Sequence, residues 1–211
     1  MATTLLNPSR EAIILSGVSW STYEGLLADL MQKSAPRMAF DRGTLEIMSP
    51  TTEHEEYNRT IASLVEVVAE EKGIEFRSLG STTYKRADMR RGFEPDSSFY
   101  IQSLPAIAGK TNIDMNIDPA PDLVIEIDIT SGSLDKQPVF AEIGVPEVWR
   151  YDGTSFTILL LQGTDYREVE TSRALPFLTQ QVVSTFISES RSMTRLAWLK
   201  KLREWARNEA V

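Results

Sequence analysis

Hydrophobic and polar residues alternate most regularly in residues 121–130, which read PDLVIEIDIT. Because successive side chains of a β-strand point to opposite faces, the leucine and the three isoleucines share one face. The opposite face carries Asp122, Glu126 and Asp128. Three carboxylates on one face repel each other unless a cation lies among them, and Mg²⁺ or Mn²⁺ prefers such oxygen ligands. Two interpretations stay open: a metal-binding strand, or an edge strand with a solvated acidic face.

Elsewhere the periodicity predicts a mixture of helices and strands. Capping-box spacings at Ser21 and Thr52 predict helices that end near residues 33 and 72, and a third helix is predicted from about Leu134 to Gly144. A hairpin turn is expected at residues 41–43 because Gly43 tolerates positive φ. Strands are predicted at residues 12–15, 38–40, 44–48, 74–84, 94–101, 146–151, 156–161 and 166–171, and two further helices at about 179–187 and 191–209.

Composition narrows the class of protein. The chain has 211 residues, 42% of them hydrophobic and 25% charged, which is typical of a globular protein with an ordinary core. It has no cysteine, so disulfides and thiolate metal sites are excluded, and we expect a cytoplasmic protein. We find no apolar run of membrane-spanning length and no secretory signal, so we expect no membrane partner.

The charge distribution bears on nucleic-acid binding. The formal net charge of −8 disfavours broad electrostatic contact with nucleic acid. Residues 85–91 nevertheless hold four basic residues in a predicted loop, which is either a solvated turn or a contact for phosphate. The last predicted helix carries Trp198 and Trp205 beside several basic residues. We expect it to dock on its own domain or on a second subunit, and a DNA-clamping helix is the alternative.

His54 is the only histidine in the chain and falls near the apolar stripe of the second helix. A histidine in that position is more often a packed, hydrogen-bonded group than a catalyst. The three glutamates in the same helical turn are explained by the helix dipole, which favours anions there, although one of them could point at a site.

Asp96 and Glu126 form the central pair of candidate site residues. Residues 53–151 are predicted to run helix, strand, strand, strand, helix, strand, with Asp96 near the start of the second strand and Glu126 inside the third. Two carboxylates on neighbouring strands can share one divalent ion, and a nearby lysine can orient or deprotonate a water. The layout resembles the PD-(D/E)XK nuclease core, named for an acid on one strand and acid-x-lysine on the next.

Short sequence motifs over residues 38–153 make the resemblance more specific. They read LEIMSP, EHE, EPDSSFY, PDLVIEIDIT, DK and GVPEVWRYDG. Together they resemble the Uma-type family of proposed restriction endonucleases that is abundant in cyanobacteria. The resemblance implies an α/β (α+β) fold with a restriction-endonuclease-like core, in which helices flank a mixed sheet and an N-terminal helix and hairpin are added. It also implies one domain over residues 1–211, with its core at about 38–153 and a helical tail at about 178–209.

The resemblance implies catalytic roles for three residues. Asp96 matches the acid of the first motif strand, and Glu126 matches the acid of the second. The parent superfamily has a lysine two residues further on, where this chain has Asp128. The family pattern implies that the lysine has moved to the following helix, which gives the role to Lys136. Such a lysine can take the same role if its four-carbon side chain places the ammonium where the lysine of the parent superfamily would have it.

Further residues are expected to support the site. The family pattern includes Glu46 and Glu55. It also includes Asp122, which is either a second metal ligand or a residue that shapes the turn into the strand, and Asp128 is expected beside the site. The resemblance implies Mg²⁺ or Mn²⁺ on Asp96 and Glu126, with the main-chain carbonyl of residue 127 as a further ligand. It implies DNA as substrate and, since nucleases that cut both strands are often dimers, a homodimer.

Two other functions stay open on the sequence alone. A non-catalytic nucleic-acid or protein-binding module that retains the fold is favoured by the acidic net charge and by Asp128 at the lysine position. A different metal hydrolase is disfavoured, because the chain has one histidine and no HExxH motif of the kind that binds zinc.

Overall fold

A computed structural model describes residues 12–30, 36–129 and 134–209. These residues form an α+β fold with two sheets and five α-helices, as the sequence predicts. The strands are β1 (Ala12–Ser16), β2 (Arg37–Asp41), β3 (Thr44–Met48), β4 (Arg77–Ser78), β5 (Tyr84–Arg86), β6 (Arg91–Phe93), β7 (Ser97–Tyr100), β8 (Leu123–Ile127), β9 (Glu147–Tyr151), β10 (Phe156–Gln162) and β11 (Asp165–Val169). The helices are α1 (Trp20–Leu30), α2 (Thr52–Glu71), α3 (Gln137–Ile143), α4 (Gln180–Ser190) and α5 (Arg195–Asn208).

The two sheets differ in size and composition. The smaller has the strand order β1-β3-β2-β6-β5 and is antiparallel throughout. The larger has the order β11-β10-β9-β8-β7-β4, and β8 and β9 form its parallel pair. The crossover between these two strands contains α3, as a parallel connection requires. The larger sheet is therefore mixed, as expected.

Strand β8 lies between two hydrophobic cores. Its side chains Leu123, Ile125 and Ile127 pack with α2, α4 and α5, while Val124 on the opposite face packs with α3 and with the smaller sheet. All five residues of the strand are buried, and β7 and β9 flank it. The edge-strand interpretation of the acidic stretch is therefore wrong. The helices α2, α4 and α5 cover one face of β8, and α3 with the smaller sheet covers the other; alternation of residue types alone does not reveal this.

The N-caps of α1 and α2 lie before the predicted positions. Ser19 Oγ accepts a hydrogen bond from the Thr22 amide at 3.0 Å, so α1 begins at Trp20. Thr51 Oγ1 accepts from the His54 amide at 3.2 Å, so Thr51 rather than Thr52 caps α2. The predicted end of the first helix, near residue 33, lies outside the described residues.

The prediction of one strand at residues 74–84 is wrong. This segment forms two separate strands in different sheets, β4 in the larger and β5 in the smaller, and Gly80 between them has φ of +54°. The basic segment after it is a hairpin rather than a loop, because β5 pairs with β6. Its Arg91 is buried and donates to Asp41 and Glu142, so this arginine is held inside the protein and does not face a phosphate.

The C-terminal helix α5 docks on α2 of the same chain. Trp198 is buried and donates from Nε1 to the Phe186 carbonyl at 2.8 Å. Arg203 and Arg207 pair with Glu71 of α2 at 2.8 and 2.7 Å. The docking role therefore fits this helix better than DNA clamping. Within the described part of the chain, no helix combines the length and apolar character needed to cross a membrane.

Glu147, the first residue of β9, is a buried carboxylate that holds a distant loop. Its Oε1 accepts from Trp149 Nε1 and Ser172 Oγ, both at 2.6 Å. Its Oε2 accepts from the amides of Arg173 and Ala174 at 2.8 and 2.9 Å. Four donors thus share one charge, and burial is the main reason that the pKa of Glu147 lies above its ordinary value.

Replacing Glu147 with Gln should lower the free energy of unfolding by about 3 kcal/mol. The NH2 group of the glutamine would face hydrogen-bond donors that the carboxylate oxygen now accepts from, and the charge-assisted bonds would be lost. Urea denaturation of the purified variant measures the change. Glu170→Gln is the matched control, since Glu170 is exposed. A loss of stability that is equal in the two variants would contradict this role of Glu147.

Candidate active site

Asp96 and Glu126 face each other across the antiparallel pair of β7 and β8. Ser97 pairs with Ile125, so Asp96, one residue before β7, comes level with Glu126. The Asp96 amide donates to the Ile125 carbonyl at 3.1 Å. The Ile127 amide returns a hydrogen bond to Asp96 Oδ2 at 2.6 Å. The Asp96 carboxylate is therefore fixed to the backbone beside Glu126, and both acids are buried.

Lys136 reaches the same point from the start of α3. Its Nζ lies 2.7 Å from Glu126 Oε2 and 3.4 Å from Glu46 Oε1 of β3. The other oxygen of Glu46 accepts from the Leu134 amide at 2.6 Å, which ties the segment before α3 to the smaller sheet. Arg91 adds a second tie by donating to the Pro138 carbonyl at 2.6 Å. The structure thus brings together Asp96, Glu126 and Lys136, and Glu46 joins them.

Three residues that the sequence did not single out for the site surround Asp96. Arg37, the first residue of β2, donates to Asp96 Oδ1. His54 Nε2 lies 3.3 Å from Asp96 Oδ2. Asn58, one turn further along α2, donates to the Asp96 carbonyl at 3.1 Å. A signal for the last two was present, because positions 54 and 58 lie on the same face of one helix and both are polar within an apolar stripe.

The remaining predicted site residues lie at different distances from this centre. Asp122 is four residues from Glu126, about 13 Å along a strand, and it accepts from the amides of Ile101 and Ser103 at 2.7 and 2.8 Å. Its carboxylate therefore holds the turn that follows β7. Glu55 contacts the site through Arg37 at 2.5 Å, and Asp128 pairs with Arg150 at 2.5 Å.

A cavity of about 640 Å³ opens beside Glu46 and Glu126. Glu46, Glu126 and Lys136 line it, together with Asp128 and Arg150. Its volume is within the range of small-molecule and cofactor sites, so it has room for part of a substrate next to the carboxylates.

The charges of the site are coupled. Burial raises the pKa of Glu126 to about 7, with a further contribution from the Asp96 charge, although the nearby Lys136 ammonium opposes the rise. Burial alone would lower the pKa of Lys136, but the carboxylates of Glu126, Glu46 and Asp96 outweigh it and the pKa lies above its ordinary value. Burial alone would raise the pKa of Asp96, but the His54 hydrogen bond and the Arg37 charge hold it below its ordinary value. Lys136 is therefore a cation at neutral pH, while Glu126 is only partly ionised.

The donor set fits a divalent ion in chemistry and charge. Glu126 Oε1 is buried and has no hydrogen-bond partner among the described residues. Within that part of the chain, no group of three or more His, Cys, Asp or Glu side chains is placed to hold a metal. Mg²⁺ commonly needs only one or two protein carboxylates, with water and substrate phosphate as its other ligands. Asp96 and Glu126 can supply those two carboxylates.

The raised pKa of Glu126 predicts how stability depends on pH. An acid whose pKa is higher in the folded state binds more protons there, so its contribution to folding is fully present below the unfolded pKa of 4.5 and is lost as pH rises through about 7. Glu126→Gln removes this titration, so the stability of the variant relative to wild type should rise by on the order of 2 kcal/mol as pH increases from 5 to 8. Urea denaturation of both proteins across this range measures the difference. A difference that stays constant with pH would contradict the raised pKa.

Comparisons with known proteins bear on this arrangement. A family model, Uma2, described as "Putative restriction endonuclease", matches residues 20–190. One similar solved structure is the crystal structure of "a putative nuclease belonging to DUF820" from Anabaena variabilis ATCC 29413. It has a TM-score of 0.51 and 16% sequence identity, and the match covers 76% of this chain and 98% of that one. At this identity the similarity shows the fold. The comparison with curated proteins gives no match.

The family model spans most of the chain, including β2 to β9 and therefore every residue of the site described above. The solved structure has the same fold over three quarters of this chain. The chain belongs to the Uma2 family of restriction-endonuclease-like proteins.

Proposed function

We propose that this protein hydrolyses DNA phosphodiester bonds with the help of one divalent ion, Mg²⁺ or Mn²⁺. The observation that carries the proposal is the meeting of two buried carboxylates with a lysine, whose Nζ lies 2.7 Å from Glu126 Oε2. Membership of a nuclease family supports the reaction class. The cavity lined by Glu126 and Lys136 gives a phosphodiester room to approach.

Each residue has a separate role in this proposal. Asp96 and Glu126 would hold the ion, which would supply Lewis acidity for the phosphoryl oxygen and the leaving oxygen. Lys136 stays protonated, so it orients a water by donating a hydrogen bond and stabilises the negative charge that develops on the phosphate. Glu46 keeps the Lys136 ammonium in place, and Asn58 and the Ile127 amide keep Asp96 in place.

We further infer that the protein acts as a single-domain homodimer in the cytoplasm. Duplex DNA is two-fold symmetric, and a two-fold dimer would present one site to each strand. The lack of cysteine fits a reducing compartment.

A non-catalytic binding module is the second candidate. Asp128 stands at the lysine position of the parent superfamily, and Arg150 already neutralises it. Arg37 is a second buried cation on the acids that would hold the ion. These contacts favour a protein that keeps the fold and does not cut.

Glu126→Gln should remove divalent-dependent cleavage while the protein remains folded, because the amide has no charge to hold the ion. The assay is nicking of supercoiled plasmid and cutting of labelled oligonucleotides, each with Mg²⁺, with Mn²⁺ and with EDTA. Glu75→Gln, at an exposed position, is the control and should cleave like wild type. Equal cleavage by wild type and Glu126→Gln after the same purification would contradict the assignment of the site.

Lys136→Met keeps the length of the side chain and removes its charge. The cleavage rate at saturating metal should fall by about 100-fold or more, since a positioned donor next to the water contributes at least this much. Lys200→Met, on the exposed side of α5, is the matched control. A rate within about twofold of wild type would leave Lys136 with a structural role only.

A further inference from the structure

Arg37 binds two carboxylates at once, and both belong to the region of the proposed metal site. One guanidinium nitrogen donates to Asp96 Oδ1, and the other lies 2.5 Å from Glu55 Oε1. The side chain is 12% exposed, so the guanidinium is largely shielded from water. A cation in this position offsets much of the cost of burying Asp96.

The two carboxylate oxygens of Asp96 have different partners. Oδ2 accepts from the Ile127 amide at 2.6 Å and lies 3.3 Å from His54 Nε2. Oδ1 contacts Arg37. A metal ion that binds Asp96 through Oδ1 would have to take the place of the guanidinium, because two cations on one oxygen repel each other.

We propose that Arg37 competes with the divalent ion for Asp96, so that metal binding moves the guanidinium off this carboxylate. This inference rests on the proposed metal site. Glu55 gives the released guanidinium a partner: its side chain is 34% exposed, lies in the first turn of α2 and already contacts Arg37. Glu55 then serves as the second partner of Arg37 and not as a metal ligand. Arg37 sets the metal concentration at which the site fills.

The opposite role is that Arg37 orients Asp96 for the ion and stays in place. The two roles predict opposite effects of removing the charge. A competitor weakens metal binding, so its removal tightens it, whereas an orienting residue strengthens metal binding, so its removal weakens it.

The experiment is a titration of Mn²⁺ alone, followed by thermal unfolding of the full chain. An ion that binds the folded form raises the melting temperature by mass action, which gives an apparent Kd for each variant. Arg37→Gln should bind Mn²⁺ with an apparent Kd about tenfold lower than wild type, the size of one charge-assisted contact. An unchanged or higher Kd would overturn the competition.

Two controls locate the effect. Arg59→Gln removes a guanidinium that lies 3.7 Å from Glu55 and is 81% exposed, and it should leave the Kd unchanged. Adding Glu126→Gln to Arg37→Gln should abolish the gain, and a gain that persists would mean that the ion binds elsewhere and would overturn the proposal. If Arg37→Gln does not fold, Arg37→Lys, which cannot bridge both carboxylates, should also lower the Kd, and an unchanged Kd would count against competition.

Failure of this inference can be told apart from failure of the proposed function. Metal-dependent cleavage by wild type together with an unchanged Kd in Arg37→Gln would remove only the role of Arg37. Tighter Mn²⁺ binding by Arg37→Gln with no cleavage by any variant would remove the hydrolysis and support the competition.

Discussion

The balance of buried charge around Glu126 is the constraint on which this structure depends. Among the described residues, the carboxylates of Glu46, Asp96 and Glu126 are buried and lie against the cations of Arg37 and Lys136. Buried ion pairs seldom stabilise a fold more than apolar packing would, and removing one partner is costly. A protein that keeps such a cluster in its centre is better explained by what the cluster binds than by the stability that it adds.

The fold delivers each charge from a different element. Asp96 precedes β7, Glu126 lies in β8 and Lys136 precedes α3, while Arg37 and Glu46 come from the hairpin of β2 and β3. The larger sheet thus supplies the two acids of the motif, and the smaller sheet supplies the residues that hold Asp96 and Lys136. The hairpin of β2 and β3 is therefore part of the site. Its second strand carries Glu46 because this carboxylate holds the Lys136 ammonium.

Much of this arrangement could be predicted from the sequence. Alternation identified β8, and the family motifs identified Asp96, Glu126 and Lys136 as residues that belong together. The position of β8 in the centre of the sheet could not be predicted, because its acids read like the outer face of an edge strand. No sequence pattern points to Arg37 for a related reason: it reaches Asp96 across 59 residues of chain because the hairpin lies beside the larger sheet, where Ala39 packs in one core with Val124. A single basic residue after a proline has no pattern of its own. The position of His54 in an apolar stripe predicts a packed residue, and in the structure His54 is both buried and in contact with Asp96.

A crystal soaked in Mn²⁺, with anomalous difference density measured at the manganese edge, tests the central claim most directly. The account predicts one strong peak within metal–ligand distance of the Asp96 and Glu126 carboxylates, with the Arg37 guanidinium moved away from Asp96. Full-occupancy Mn²⁺ elsewhere in the crystal, with no peak between these two carboxylates and Arg37 still on Asp96, would contradict it.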